Sequence, residues 1–243
     1  MGKIFAVTSG KGGVGKSTVS VGLGLAFCGK DKKVLLVDMD EGLRCLDLML
    51  GLDKATVFDL SDILMGKEPE EATYQSEIIP NLHLIPAPAN VGMLDYFSFT
   101  TFVLKVRELF DIVIFDFPAG INIPLYSCLP KDTQFLTVAV PDPVSVRDAG
   151  AVSDALTNAG INSRLIINRF INKQSGKYRF KNIDEIIDGS ALRLIGIVPE
   201  SEELRLLSLK HKISRRSKAL KAFLRIASRL DGERLLLPKL KKI

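Results

Sequence analysis

The sequence predicts an α/β fold with a single doubly wound, mostly parallel sheet flanked by helices. Short apolar runs alternate along the chain with segments of helix length, which is the pattern of a parallel sheet with helical crossovers. Several of these runs are continuous stretches of Val, Ile, Leu and Phe, as expected of strands that are buried on both faces. A chain of 243 residues, of which 47 % are hydrophobic, is long enough for one such domain.

The predicted elements follow one another without a linker, a low-complexity segment or an internal repeat. The predicted strands are residues 4–8, 34–37, 82–85, 112–115, 135–140, 165–167 and 194–198. Helices are predicted at 17–27, 101–110, 145–159 and 183–187, and a last helix carries an apolar stripe through Leu220, Phe223, Leu224, Ala227 and Leu230. In such a fold, ligands bind at the carboxyl ends of the strands.

Composition excludes several classes of protein. The three cysteines are odd in number and form no C-x-x-C pair, so neither a disulfide framework nor a zinc or iron–sulfur site is predicted. No apolar run approaches the ~20 residues of a spanning helix, and no signal peptide precedes the first strand. We therefore expect a cytoplasmic protein. The net charge is +5, and Lys and Arg are in excess after residue 214, which is compatible with an anionic lipid or nucleic acid partner.

A phosphate-binding loop lies between the first strand and the first helix. Gly10, Gly15, Lys16 and Ser17 match the pattern G-x-x-x-x-G-K-[ST]. Glycines let backbone N–H groups cradle phosphate oxygens, and the helix N-terminus adds partial positive charge. Lys16 is expected to reach the β- and γ-phosphates, and the Ser17 hydroxyl to bind Mg²⁺. The predicted nucleotide-binding residues here are Gly10, Lys11, Gly12, Gly13, Val14, Gly15, Lys16, Ser17 and Thr18.

Carboxylates end two of the predicted strands. Asp38 and Asp40 follow the second strand, and Asp116 follows the run 112–115 in the manner of a Walker B strand. A carboxylate beside a phosphate loop can hold Mg²⁺ or position water, and Asp116 is predicted to hold Mg²⁺ through its water shell. The alternative is that Asp38 and Asp40 bind neither metal nor water for catalysis and only keep a loop solvated.

The loop resembles the deviant Walker A box of the MinD/ParA/Mrp family of ATPases, which also includes nitrogenase iron protein. Residues 11–18, Lys-Gly-Gly-Val-Gly-Lys-Ser-Thr, carry this resemblance. It implies an ATP-dependent homodimer in which Lys11 reaches across the interface to the partner's nucleotide. A solvated lysine at a loop tip is the alternative. The resemblance further implies that Asp40 orients the attacking water and that Asp38 is a metal-site residue, closer to the Mg²⁺ shell. It also implies that Gly120 brings a backbone N–H near the γ-phosphate.

The resemblance also implies where the base binds. Asn168 would read the adenine edge, Arg169 would stack or pack nearby, and the loop at Pro199 would complete the pocket. Residues 168–171 read Asn-Arg-Phe-Ile, which lacks the guanine-reading Asn/Thr-Lys-x-Asp pattern. The expected substrate is therefore ATP, with Mg²⁺ as cofactor.

Three further runs resemble the MinD members of that family, and the resemblance extends over residues 1–232. The three runs are residues 40–47, 116–121 and 141–148. In the first run, Cys45 stands where asparagine is usual in the MinD members. The resemblance implies a spatial switch in division-site placement, whose dimer binds a division inhibitor or activator protein at the inner face of the cell membrane. A DNA-partition ATPase of the ParA type and a flagellar-number regulator of the FlhG type are the alternatives, with DNA the less favoured partner.

The end of the chain departs from the MinD pattern, which has a basic amphipathic helix there. Residues 233–243 form a short basic and apolar tail, in which Pro238 leaves about five residues, fewer than two turns at ~3.6 residues per turn. We expect this tail to be a reduced membrane anchor that depends on the dimer for avidity. The stripe of the preceding helix is expected to pack on the core, and a lipid- or DNA-facing role for its basic side is the alternative.

Overall fold

The computed structural model describes residues 1–171 and 183–238, and an eight-stranded sheet forms its centre. The strands are β1 Lys3–Thr8, β2 Val34–Asp38, β3 Tyr74–Gln75, β4 Leu82–Ile85, β5 Ile112–Asp116, β6 Gln134–Ala139, β7 Ser163–Phe170 and β8 Arg193–Pro199. Their order across the sheet is β3-β4-β2-β5-β1-β6-β7-β8. Only β3 is antiparallel to its neighbour. The predicted doubly wound, mostly parallel sheet is confirmed.

Helices connect the strands on both faces. They are α1 Lys16–Cys28, α2 Leu46–Leu50, α3 Leu60–Leu64, α4 Tyr96–Leu109, α5 Ile123–Tyr126, α6 Pro143–Asn158, α7 Ile183–Ser190, α8 Glu202–Arg205, α9 Leu207–Lys210 and α10 Lys218–Leu230, with a 3-10 helix at Pro69–Ala72. Within the described residues no helix is both long and apolar enough to cross a membrane.

Every predicted strand is present, and the differences concern ends and short elements. The two-residue strand β3 was not predicted, because two residues cannot display a periodicity. Helix α4 begins at Tyr96 rather than at residue 101, because the Asp95 carboxylate accepts a hydrogen bond from the Ser98 N–H (2.8 Å) and caps the extra turn. Strand β7 is longer than the predicted run 165–167, since Ser163 and Arg164 also pair with β6 and Phe170 pairs with Pro199 of β8.

The core has two principal layers, one on each face of the sheet. In β1, Phe5 and Val7 face the layer under α1 and α10, whereas Ile4 and Ala6 face the layer that contains α4 and α6. All four side chains are buried. This two-sided burial explains why the strand sequences are continuously apolar rather than alternating.

Helix α10 closes the first layer, as its apolar stripe predicted. Phe223 and Ala227 are buried, and a Cβ added at Gly22 of α1 would lie 2.2 Å from the Phe223 ring, so glycine allows the two helices to approach. After the helix, the Asp231 carboxylate pairs with the ammonium groups of Lys30 (2.7 Å) and Lys3 (2.9 Å). The division of the chain into 1–232 and a tail at 233–243 stays a prediction, and 239–243 lie outside the described residues.

Candidate functional site

The phosphate loop joins β1 to α1 at the carboxyl edge of the sheet. Gly15 has φ +87°, a left-handed conformation that favours glycine, and it immediately precedes α1. A Cβ at Gly15 would lie 2.4 Å from Nδ2 of Asn168, so the position also lacks room for a side chain. Lys16, the first residue of α1, is buried. The loop therefore has the glycine geometry and the buried lysine that the motif predicts.

Asp116 lies at the end of β5, beside the loop, as predicted. Its side chain is buried, and its Oδ1 accepts a hydrogen bond from the Ser20 hydroxyl (2.9 Å). Burial raises its pKa to about 7, and the neighbouring charge of Asp38 acts in the same direction. Hydrogen bonds from Ser17 and Ser20 oppose this shift. Asp116 and Ser17, two of the predicted metal ligands, are thus within hydrogen-bonding reach of each other.

Asp38 occupies the corresponding end of β2, in register with Asp116. Its Oδ1 accepts from the Asp40 N–H (3.0 Å), and its Oδ2 accepts from the N–H groups of Cys45 and Leu46 (both 3.1 Å). Burial raises its pKa, and these three bonds oppose the rise. Asp38 therefore holds the 40–46 loop next to the phosphate loop, and its role toward the metal stays a prediction.

Cys45 contacts the predicted metal site. Its thiol lies 3.2 Å from the Ser17 hydroxyl. Burial, followed by the charge of Asp38, raises the pKa of the thiol to about 12. Cys45 is therefore a neutral neighbour of Ser17 at physiological pH, and not a thiolate.

Asp40 and Lys11 lie at the outer side of the site. Asp40 is partly buried, which raises its pKa, while the positive charge of Lys16 opposes the rise. The Lys11 ammonium group lies 3.6 Å from the carboxylate of Asp142, and both side chains are substantially exposed. Lys11 thus points to the surface around the loop rather than into the site of its own chain.

A cavity of about 340 Å³ adjoins the phosphate loop and contains the predicted base-binding residues. Thr18, Asn168, Arg169 and Pro199 all line it. Nδ2 of Asn168 donates to the carbonyl of Val14 in the loop (2.8 Å), whereas its Oδ1 is buried with no hydrogen-bond partner among the described residues. The sequence-predicted phosphate and base sites are thus joined by one side chain.

The backbone at Arg169 has a left-handed conformation, with φ +53°. This conformation is uncommon for a residue other than glycine, and it coincides with an irregularity in the pairing of β7 with β8. Strained backbone of this kind is concentrated at ligand sites. Here it interrupts the pairing of β7 with β8 beside the cavity.

Gly120 also lies at this edge, after β5. Its φ is +110°, and its N–H donates to the carbonyl of Ser9 (2.9 Å). The Tyr126 hydroxyl contacts the Gly120 carbonyl (3.2 Å) and the Thr8 hydroxyl (3.0 Å). The expected approach of the Gly120 N–H to a γ-phosphate therefore requires the bond to Ser9 to break.

Two groups of site residues were not predicted from the sequence. Ser20 lies one helical turn after Ser17 on α1, and that spacing could have identified it as a second hydroxyl facing Asp116. The far wall of the cavity includes Leu204, Arg205 and Ser208, from α8 and α9. No motif marks these helices, because their position depends on the packing of α9 against α2.

No group of three or more His, Cys, Asp and Glu side chains that could hold a metal appears in the described part of the chain. The available donors are instead the Ser17 hydroxyl and two carboxylates. This set suits Mg²⁺, which prefers oxygen ligands and normally completes its shell with phosphate oxygens and water.

Residues 5–214 match the family model of the CobQ/CobB/MinD/ParA nucleotide binding domain. The chain belongs to this family. The septum site-determining protein MinD of Thermotoga maritima is 34 % identical over 243 residues, covering 96 % of this chain and 89 % of that protein. The family and the similarity to MinD that the sequence predicted are therefore confirmed.

Solved structures agree with this assignment. A chain of the MinC:MinD cell division protein complex of Aquifex aeolicus has a TM-score of 0.87 and 31 % identity, covering 98 % of this chain and 99 % of that chain. The septum site-determining protein MinD of Pyrococcus horikoshii, complexed with Mg-ADP, has a TM-score of 0.80 and 25 % identity over 95 % of this chain and 96 % of that one. The prediction of a MinD-like ATPase is confirmed by these similarities.

Proposed function

We propose that this chain is a MinD-like ATPase that binds ATP with Mg²⁺, dimerises on ATP and hydrolyses it as a spatial switch in division-site placement. The observation that carries the proposal is the position of Asn168, whose amide nitrogen is bonded to the phosphate loop while its oxygen is left unpaired beside the cavity. A buried acceptor without a partner costs about 1–3 kcal/mol, and the amino group of adenine is a donor that would satisfy it.

The phosphates of ATP fit the loop of residues 10–18. Backbone N–H groups at the start of α1 and the buried ammonium group of Lys16 supply positive charge to the β- and γ-phosphates. Ser17 and Asp116 would hold Mg²⁺, with Asp38 in support, and the ion would neutralise charge that develops on the phosphates. The Mg-ADP bound to the Pyrococcus horikoshii MinD supports this cofactor assignment.

Hydrolysis requires a positioned water and positive charge at the transition state. We assign the first role to Asp40, whose backbone is held by Asp38 and which lies near Lys16. We assign the second in part to Lys11 of the opposing subunit in an ATP dimer. The exposure of Lys11 at the loop surface supports this assignment, because such a side chain is available to a second copy.

Attachment of the dimer to the cell membrane is proposed for the tail. The guanidinium group of Arg229 donates to the carbonyls of Leu235 (3.0 Å) and Leu236 (2.9 Å), which holds the start of the tail against the body of the protein. The side chains at 235, 236 and 237 are 41 %, 92 % and 46 % exposed. These three exposed leucines precede lysines at positions 239, 241 and 242 of the sequence, and such a combination would suit an anionic lipid surface.

The partner is proposed to be a division inhibitor or an activator that recognises the ATP dimer. The MinC:MinD complex among the similar structures supports a division-inhibitor partner. In this proposal the protein is cytoplasmic and becomes peripheral on the inner face of the membrane when ATP is bound.

Co-sedimentation tests the switch. The protein is mixed with anionic liposomes or with duplex DNA, each in the presence of ADP or a non-hydrolysable ATP analogue. Sedimentation with liposomes that requires the ATP analogue is the expected result. Sedimentation with DNA alone, weakening steeply with salt, would instead indicate a partition ATPase of the ParA type. The Asp40→Ala variant should still dimerise on ATP but release phosphate slowly.

A further inference from the structure

A second cavity lies at the edge of the sheet opposite to the phosphate loop. Its volume is about 1020 Å³. It is formed where β6, β7 and β8 begin, and it extends from the end of α5 to the turn that follows α6. Of the described residues discussed at the nucleotide site only Tyr126 lines it, and no residue predicted to bind nucleotide or metal does, so a ligand bound there would not compete with a nucleotide.

The lining of this cavity is basic. Lys131, Arg164 and Arg193 contribute to it, and none of the described lining residues is Asp or Glu. Asp132 lies next to Lys131 in the sequence, but its carboxylate pairs with Arg107. In the described residues no carboxylate is within ion-pair distance of any of these three cationic side chains.

Arg164 is the least hydrated of the three cations. It is partly buried, and burial lowers its pKa. Its guanidinium group donates to the side-chain oxygen of Gln134, a neutral acceptor, and carries further N–H groups. A partly buried cation with only a neutral partner is costly, and an anion bound beside it would relieve that cost.

Neutral hydrogen-bonding groups also line the cavity. Ser163 is one of them, and its hydroxyl bonds to the Thr137 hydroxyl of the adjacent strand β6 (2.7 Å). The Thr133 hydroxyl is buried in the lining and has no hydrogen-bond partner among the described residues. The cavity thus combines a positive charge with uncharged polar groups, as small-molecule sites commonly do.

We propose that this cavity binds a small oxyanion, the carboxylate or phosphate group of a metabolite-sized ligand, with Arg164 as its principal contact and Lys131 and Arg193 at the rim. A planar guanidinium group can donate two parallel hydrogen bonds to such an oxyanion. The ligand would bind independently of the nucleotide.

The test uses the full chain saturated with Mg-ADP, so that the phosphate loop is filled. Inorganic phosphate and succinate are titrated separately at constant ionic strength, and methyl resonances of Ile161 and Leu192, which line the cavity, are followed by NMR. We expect a saturable shift at these methyl groups with one or both anions. Arg164→Gln should weaken the affinity about tenfold or more, because a charge-assisted hydrogen bond is lost. The exposed Arg215→Gln is the matched control and should bind as the unmodified chain does.

Three results would overturn the proposal: no saturable shift with either anion, shifts confined to Val14 and Val19 at the phosphate loop, or equal affinity in Arg164→Gln. If Arg164→Gln does not fold, as judged by loss of Mg-ADP binding, the exposed pair Lys131→Gln and Arg193→Gln is used instead. Unchanged affinity in that double variant would also refute the site.

Discussion

Replacing Asp116 by asparagine should stabilise the nucleotide-free protein while removing its response to Mg²⁺. The carboxyl group is buried at the end of β5, where ionisation is opposed by burial and by the charge of Asp38. Asparagine is nearly isosteric and can still accept from the Ser20 hydroxyl through its amide oxygen. The substitution therefore removes a costly charge with little change in packing.

The magnitude follows from the pKa of Asp116, which rises from 3.8 to about 7 on folding. Between these values the unfolded chain has lost the proton and the folded chain retains it, so stability falls as pH rises. Over about three pH units at ~1.4 kcal/mol each, the cost reaches about 4 kcal/mol and is constant above pH 7.

Urea denaturation of the two proteins at several pH values, without nucleotide, measures this effect. The advantage of Asp116→Asn in free energy of unfolding should be small near pH 4, grow toward pH 7 and then level off. Mg-ADP should raise the stability of the unmodified chain far more than that of the variant. Asp154→Asn, on the exposed side of α6, is the control and should show no such trend. A variant that is less stable at pH 8, or an advantage independent of pH, would refute the reasoning.

Three further predictions concern the dimer and the packing of α10. Lys11→Ala should retain ATP binding but lower phosphate release by the ATP dimer about 100-fold or more; unchanged release would mean that this lysine only solvates the loop. Asp231→Asn should lower the free energy of unfolding by about 1 kcal/mol at neutral pH. Burial raises the Asp231 pKa, but hydrogen bonds from two lysines outweigh it and lower the pKa. The stabilisation by Asp231 therefore exists above pH ~4 and disappears as the pH falls. A variant that is still less stable than the unmodified chain at pH 2 would contradict this explanation. Gly22→Ala should destabilise by about 1–3 kcal/mol in urea denaturation, because its Cβ meets the buried Phe223 ring, and a gain in stability would contradict this packing.

Much of the fold was predictable because each strand is buried on both faces. The run at 82–85 was predicted with its observed bounds, and β1 and β5 within one residue at each end. Continuous apolar runs identify such strands without knowledge of their partners. The short helices α2, α8 and α9 were not predicted, because four or five residues carry too little periodicity to be distinguished from a loop.

The candidate site was likewise predictable in part. Local motifs predicted the phosphate loop and Asp116, and the family resemblance predicted Asn168. The structure brings these residues to one edge of the sheet, and their roles stay predictions. The motif could not show that Asp38 is engaged by three backbone N–H groups, because its donors lie in a loop without regular structure. It also could not show that the thiol of Cys45 contacts Ser17, which follows from where that loop folds.

The amino-acid sequence by itself determined the fold class and the family and indicated which residues form the candidate nucleotide site, because these depend on local patterns: apolar runs, glycine spacing and acids at strand ends. Only the tertiary structure decided which polar atoms remain unpaired. The free oxygen of Asn168 and the cation of Arg164 with its neutral partner both result from contacts between residues far apart in the chain. Burial and hydrogen bonding are properties of the assembled neighbourhood, and no single segment of the sequence contains them.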